Sequence, residues 1–172
     1  FRSRTGDIGR AREALAELPP GATLAAALLD GADIRVLEDP QPFEPPPGLD
    51  HALDAADVVR GVVASLGSTR LFERYHRRVR RGTLSLSLVV PADRFESLSG
   101  QLPDAIRELI SEEGCTVRTG ETPPYSLFLT RTGDSRAVTV VVSETPGVPH
   151  AVVHNDDPAA VAWAEETVTS AE

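Results

Sequence analysis

The chain has 172 residues, a formal net charge of −9 and a single cysteine, which fits one compact domain. The acidic balance argues against nucleic-acid binding by the domain itself, because phosphates attract a basic face. One cysteine excludes an intrachain disulfide and a thiolate metal cluster, and no apolar run approaches the roughly 20 residues of a membrane helix, so we expect a cytoplasmic protein.

The N-terminal residues predict an amphipathic helix from Arg4 to Leu18. Its apolar positions recur at helical spacing, and Pro19-Pro20-Gly21 ends the run; they are Ile8, Ala11, Leu15 and Leu18. We therefore divide the chain into a lead-in helix over residues 1–18 and a domain over residues 19–172. Because the chain opens on Phe1 rather than Met, we expect it to be a piece of a longer protein.

The next segments predict a short helix, a strand and a loop. Thr23–Leu29 is rich in Ala and Leu and ends at Asp30-Gly31, and Asp33–Leu37 alternates like a strand with one buried face. Glu38–Gly48 contains five prolines, which lack N–H donors and have fixed φ angles. This stretch therefore predicts an ordered surface loop with polyproline character, with a linker as the alternative.

The middle of the chain predicts a right-handed parallel βαβαβ core. Three strands alternate with helices, at Val58–Ala64, Leu84–Val90 and Cys115–Arg118. Leu49–Ala55 is a short helix before the first strand, and Ser68 could cap the helix after it. Asp93 and Glu96 match a capping box, and a further helix starts at Pro103 and ends at Gly114.

The C-terminal part predicts an antiparallel meander and a closing helix. Three β-rich runs, Tyr125–Thr130, Arg136–Ser143 and Pro149–His154, are separated by turn-like sequences. Asp157 as N-cap and Pro158 at the first helical position then begin the last helix. The predicted fold class is α/β, with a parallel core extended by this meander and flanked by helices.

Few residues suggest catalysis or metal binding. His150 and His154 have the i, i+4 spacing of a zinc helix, but their surroundings favour a strand, where they would lie about 13 Å apart. Cys115 falls on a core strand, which favours an inert buried thiol. A nucleophile elbow, a Walker A motif and a dinucleotide glycine pattern are all missing. We therefore expect no catalytic residue, metal or cofactor.

A dense basic cluster occupies one predicted helix and its exit. It consists of Arg74, Arg77, Arg78, Arg80 and Arg81, interleaved with Tyr75 and His76. The apolar stripe of the same helix marks the opposite face as core, so a solvated helix face is the favoured interpretation. A surface for an acidic partner, including a neighbouring subunit, is the alternative.

A small-molecule site is expected where the parallel strands end and the helices begin. Helix N-termini present convergent N–H groups there, and ligands of open α/β sheets bind beyond the carboxyl ends of the strands. The residues we predict to line this site are Ser65, Ser68, Asp93 and Tyr125.

The order of four segments resembles a known family. These segments are Leu15–Pro19; Ala32–Val36 with Pro40–Pro45; Ala56–Val62 before Phe72–His76; and Asn155–Glu165. Together they are similar to the effector domain, of the methanogenesis-regulator middle-domain type, in TrmB-like winged-helix transcription regulators of halophilic archaea. The abundance of acidic residues, with arginine as the basic residue throughout, agrees with that source, although codon bias in a GC-rich mesophile would produce it too.

The resemblance implies a DNA-binding winged helix before Phe1, an unknown small-molecule effector and a homodimer. It assigns no site residue. The predicted function is therefore ligand sensing and dimerisation in a regulator that contacts DNA only through the missing domain. The alternatives are a small α/β hydrolase or transferase, and a dimerisation module that binds no ligand.

Overall fold

The computed structural model of the protein describes residues 24–39, 46, 48–65 and 69–172, together with residues 9, 12 and 16. The lead-in helix predicted for Arg4–Leu18, most of the proline loop at Glu38–Gly48 and the predicted ligand residue Ser68 lie outside the described residues.

Helices and strands alternate along most of the described chain. The helices are α1 (Ala26–Leu29), α2 (Leu49–Ala55), α3 (Thr69–Arg80), α4 (Ala92–Gln101), α5 (Pro103–Ser111) and α6 (Pro158–Ala171). The strands are β1 (Asp33–Val36), β2 (Val58–Val62), β3 (Ser85–Val90), β4 (Cys115–Thr119), β5 (Ser126–Thr132), β6 (Ser135–Thr145) and β7 (Val148–Asn155).

The strands form one seven-stranded sheet in the order β1-β7-β6-β5-β2-β3-β4. Strands β2, β3 and β4 are parallel, and every other neighbouring pair is antiparallel. The parallel core and the C-terminal meander predicted from the sequence are therefore confirmed, as is the mixed α/β fold class. The parallel core and the meander form one sheet because β5 pairs with β2, where Gly61 lies opposite Phe128.

The two faces of the sheet support two separate cores. One face, which we call the α6 face, is covered by α1 and α6 and buries Leu127, Val140 and Val153. The other, the α3 face, lies against α2, α3 and α5 and buries Val59, Leu86 and Val141. Because successive strand residues point to opposite faces, a single strand such as β5 contributes to both cores.

The helix starts show which capping signals operate. Asp157 caps α6 as predicted, since its side chain accepts a hydrogen bond of 2.9 Å from the Ala159 N–H and Pro158 opens the helix. The capping box predicted at Asp93 is wrong. Helix α4 starts at Ala92 after Pro91, whose ψ of 141° is extended, so Asp93 is already helical and cannot serve as N-cap.

Tight turns connect the strands of the meander. The link between β6 and β7 is Pro146-Gly147, and Gly147 has a φ of +85°. Proline followed by a glycine in the left-handed region is typical of a type II turn. This turn lies at the same end of the sheet as the carboxyl ends of the parallel strands, beside the cavity described next.

Candidate ligand-binding cavity

A cavity of about 610 Å³ lies on the α3 face, between the sheet and the helices α3, α4 and α5. Strands β3 to β6 supply its floor, with Leu86, Leu88, Val90, Val117, Phe128 and Val141. The helices supply its cover, with Leu71, Phe72, Phe95, Leu98, Ile106 and Leu109. Its volume lies within the range of roughly 300–1,000 Å³ that is usual for small-molecule pockets.

The packing of α4 explains why the cavity exists. All ten residues of this helix are described, and none of them is buried. Its apolar residues Phe95 and Leu98 line the cavity instead of filling it. Ile110 of α5 also lines the cavity and is 44% exposed, which is unusual for a large apolar side chain in this protein. An apolar molecule in the cavity would remove these side chains from water.

Polar groups are few and lie mainly near the ends of the strands. Ser65 follows β2, and Ser126 begins β5 at the same edge, where its Oγ accepts a 3.1 Å hydrogen bond from the Ala64 N–H. Helix α4 adds Arg94 and Gln101, the latter donating to Ser97 Oγ at 3.3 Å. An apolar cavity with a small number of placed polar groups is the usual form of a ligand site.

Tyr75 of α3 carries a buried hydroxyl at the side of the cavity. The hydroxyl has no hydrogen-bond partner among the described residues. Burial raises the pKa of Tyr75 well above its ordinary value, and the carboxylates of Asp50 and Asp54 raise it further. The group is therefore a neutral phenol near neutral pH, able to donate one hydrogen bond.

The structure does not bring the four predicted ligand residues together. Ser65 lines the cavity, and Ser68 lies outside the described residues. Asp93 is in the first turn of α4 with a carboxylate that is 76% exposed, outside the cavity lining. Tyr125 lies in the core of the α6 face, where its ring centroid is 6.5 Å from that of Trp163. It packs on the other side of the sheet, so it forms no wall of this cavity.

Helix α4 supplies several of the cavity-lining residues that the sequence did not predict. The predicted capping box singles out the carboxylate of Asp93 as a ligand group, whereas the neighbouring Arg94 lines the cavity. The spacing of Phe95, Leu98 and Leu102 would have revealed an apolar stripe at i, i+3 and i+7. That pattern is ordinarily a sign of core packing, and only the structure shows the space beneath it.

The histidine pair lies on a strand, as the sequence indicated. His150 and His154 are both in β7, and His154 Nδ1 lies 2.9 Å from Thr139 Oγ1. A smaller pocket of about 270 Å³ under α2 is lined by His154, His51 and Arg35, among others. Within the described part of the chain, no three His, Cys, Asp or Glu side chains are grouped to hold a metal ion.

The basic cluster of α3 is partly structural. Arg74 bridges to Asp54 of α2 at 3.2 Å. Arg78 donates to the carbonyl oxygens of Leu53 and Ala56 at 2.8 and 2.6 Å, which satisfies the C-terminal end of α2. Arg77 and Arg80 are exposed, in agreement with a solvated helix face.

Cys115 is the buried thiol that the sequence predicted. It is a core residue of the α3 face. Burial, with a smaller contribution from Glu112, raises the pKa of the thiol to about 11. A thiol of this kind is a poor nucleophile at neutral pH.

Comparison with known proteins identifies a family and a fold. Residues 42–171 match the family described as methanogenesis regulatory protein FilR1, middle domain. A solved structure of TrmBL2, described as an archaeal chromatin protein with a novel mode of DNA binding, superposes with a TM-score of 0.58 at 11% sequence identity. The match covers 97% of this chain and 59% of that chain, so the chain spans little more than half the length of TrmBL2.

No curated protein sequence matched the chain. Among the helices that the structure describes, none combines the length and apolar character needed to cross a bilayer.

Proposed function

The chain belongs to the family of the FilR1 middle domain, and from this membership we propose that it is the ligand-sensing domain of a transcription regulator. The cavity of about 610 Å³ on the α3 face is the observation that carries the proposal. A small molecule bound there would complete the packing under α4, and so favour one arrangement of the helices over another.

We propose that a winged helix outside this chain contacts DNA. The net charge of −9 makes the domain repel DNA on average. TrmBL2, whose fold this chain shares, is a DNA-binding protein, and the match covers 59% of its chain. As the family resemblance implies, we propose that this winged helix precedes residue 1 and that the whole protein works in the cytoplasm.

The alternative hypothesis is that the chain is a small hydrolase or transferase that uses the same cavity. A serine nucleophile requires a general base within hydrogen-bond reach. The polar side chains among the described lining residues are hydroxyls, one amide and one guanidinium, with neither imidazole nor carboxylate. This composition supports binding over catalysis.

A cavity-filling variant tests the proposal without requiring the natural ligand. Leu88 lies in the floor of the cavity, and Leu88→Trp would occupy the space that a ligand takes. We expect this variant of the full-length gene product to change its affinity for DNA from upstream of its own gene by at least about fivefold, measured by fluorescence anisotropy.

The matched control is Ser135→Trp, which places an indole on an exposed residue in the hairpin at the other end of β5 and β6. We expect it to leave the DNA affinity unchanged. Binding of the neutral fluorophore N-phenyl-1-naphthylamine to the 172-residue chain should be lost in Leu88→Trp and kept in Ser135→Trp. Equal probe binding and equal DNA affinity in all three proteins would contradict the proposal.

We also propose that the protein self-associates, with the segment Arg4–Leu18 contributing. Regulators that read paired half-sites are usually two-fold dimers, because protein symmetry matches operator symmetry. Light scattering on the chain with and without the residues before Pro19 tests this. A dimer that is lost on truncation is expected, whereas a monomer in both forms would refute the claim.

A further inference from the structure

We infer that the cavity selects amphipathic anions, molecules with an apolar body and one anionic group that pairs with Arg94. This inference rests on the proposed function, since it specifies the chemical class of the ligand that the cavity would bind.

The distribution of charge around the cavity is the first argument. The chain contains 26 acidic residues and has a net charge of −9. Yet the described residues that line the cavity include no carboxylate, and Arg94 is the one charged side chain among them. In an acidic protein, the cavity is therefore a local region where a cation meets an apolar surface.

The state of the Arg94 guanidinium is the second argument. It forms an exposed ion pair with the adjacent Asp93, whose Oδ2 lies 3.7 Å from Arg94 Nε, too far for a hydrogen bond. The Arg94 guanidinium makes no hydrogen bond with any described residue, whereas those of Arg78 and Arg136 donate at 2.6 and 2.7 Å. The side-chain N–H donors of Arg94 are thus available for hydrogen bonds to a ligand, although its charge is partly balanced by Asp93.

The position of Arg94 sets the orientation of the ligand. The side chain is 42% exposed although it lines the cavity, which places it at the rim. Leu98, one turn later in α4, and Leu102, which follows the helix, also line the cavity. An anionic group at Arg94 would therefore remain near water while the apolar body enters over Leu88 and Phe128.

A pair of fluorescent probes that differ by one charged group tests the inference. N-phenyl-1-naphthylamine is neutral, and 1-anilinonaphthalene-8-sulfonate is the same molecule with a sulfonate added. Both are titrated into the 172-residue chain at low ionic strength. A charge-assisted pair at a partly exposed site should make the sulfonate bind about tenfold more tightly than the neutral probe.

Two arginine variants locate the effect. Arg94→Gln should weaken binding of the sulfonate about tenfold and leave the neutral probe within about twofold. Arg107→Gln removes the same charge from an exposed arginine on α5 that pairs with Asp104 and lies outside the lining, and it should change neither affinity. Equal thermal unfolding midpoints would show that both variants are folded.

The possible outcomes separate this inference from the proposed function. If both probes bind with one-to-one stoichiometry and equal affinity, and Arg94→Gln changes neither, the anion preference is wrong although the cavity still binds ligands. If neither probe binds, or if Leu88→Trp leaves both affinities unchanged, the cavity is not a binding site and the proposed function fails with it. Sulfonate-selective binding that depends on Arg94 supports both.

Discussion

Gly61 of β2 lies directly opposite Phe128 of β5, and a Cβ placed on Gly61 would be 3.3 Å from Phe128 Cδ1. The same Cβ would be 2.5 Å from the carbonyl oxygen of Leu127, closer than real contacts allow. The glycine is therefore required by a close approach between neighbouring strands, and it allows the Phe128 ring to form part of the cavity floor.

The first prediction follows from this contact. Gly61→Ala should lower the free energy of unfolding by about 1–3 kcal/mol, because β2 or the Phe128 ring must move to relieve the overlap. It should also weaken binding of N-phenyl-1-naphthylamine. Chemical denaturation and fluorescence titration measure the two effects.

Gly100→Ala is a control that should change the free energy of unfolding in the opposite direction. Gly100 lies within α4, and a Cβ there would meet nothing within 4 Å. Gly100→Ala should raise stability by about 0.5–1 kcal/mol, since alanine favours the helix. A Gly61→Ala protein as stable as the parent would show that the strands accommodate the methyl group without cost.

The second prediction concerns Arg78. Arg78→Ala removes the donors that satisfy the Leu53 and Ala56 carbonyls at the end of α2. We expect a loss of about 2 kcal/mol in the free energy of unfolding, as for other charged hydrogen bonds to partly buried groups. Arg77→Ala alters the neighbouring exposed arginine, whose guanidinium makes no hydrogen bond with a described residue, and should change stability by less than about 0.5 kcal/mol. Equal losses in the two variants would contradict a structural role specific to Arg78.

The third prediction concerns the buried hydroxyl of Tyr75. Tyr75→Phe should leave the ligand-free protein as stable as the parent or raise its stability by up to about 1 kcal/mol, because the hydroxyl finds no partner among the described residues. Thermal and chemical unfolding both report this change. A loss of more than about 1 kcal/mol would mean that the hydroxyl is hydrogen-bonded in solution.

The fourth prediction concerns the Cys115 thiol. Its pKa is raised from 9.0 to about 11, so its thiolate population at pH 8 should be about a hundredfold below that of an unperturbed thiol. Alkylation by iodoacetamide should accordingly be slow in the folded protein and rapid in denaturant. Comparable rates in both conditions would show that the thiol is accessible and easily ionised.

The same shift has a consequence for stability at alkaline pH. The folded state holds the thiol proton more tightly than the unfolded chain. The contribution of the protonated thiol to the free energy of unfolding is therefore fully present below pH 9.0 and is lost as the pH rises through about 11. The free energy of unfolding should fall across this interval. In Cys115→Val the part of the fall due to this thiol should disappear.

The sequence was sufficient to predict the fold class and most strands, but not the strand pairing that forms the cavity. Period-2 alternation predicted β3, the helix signals on either side bounded β2 and β4, and two turn-like segments predicted the meander, because these signals are local. The pairing of β2 with β5 brings together Gly61 and Phe128, which are far apart in the chain, and it determines which face each residue of β5 occupies.

Tyr125 shows that local sequence signals do not determine the face of the sheet on which a residue lies. It precedes β5 by one residue, and its neighbour Ser126 faces the cavity while Tyr125 packs against Trp163 on the α6 face. A shift of one position reverses the face of the sheet to which a side chain belongs. Nothing local in the sequence fixes that position until the pairing with β2 is known, so the sequence alone does not show which face of the sheet Tyr125 occupies.

The edge strand β1 has a consequence for the order in which the protein is made. Its partner β7 lies roughly 120 residues later in the chain, with Asp33 opposite His154, and closing such a long loop is entropically unfavourable before other structure exists. During synthesis, β1 leaves the ribosome while its partner has yet to be translated. The strand must therefore remain without its native pairing until nearly the entire chain has emerged, and it joins a meander whose own strands are contiguous and can pair as they appear.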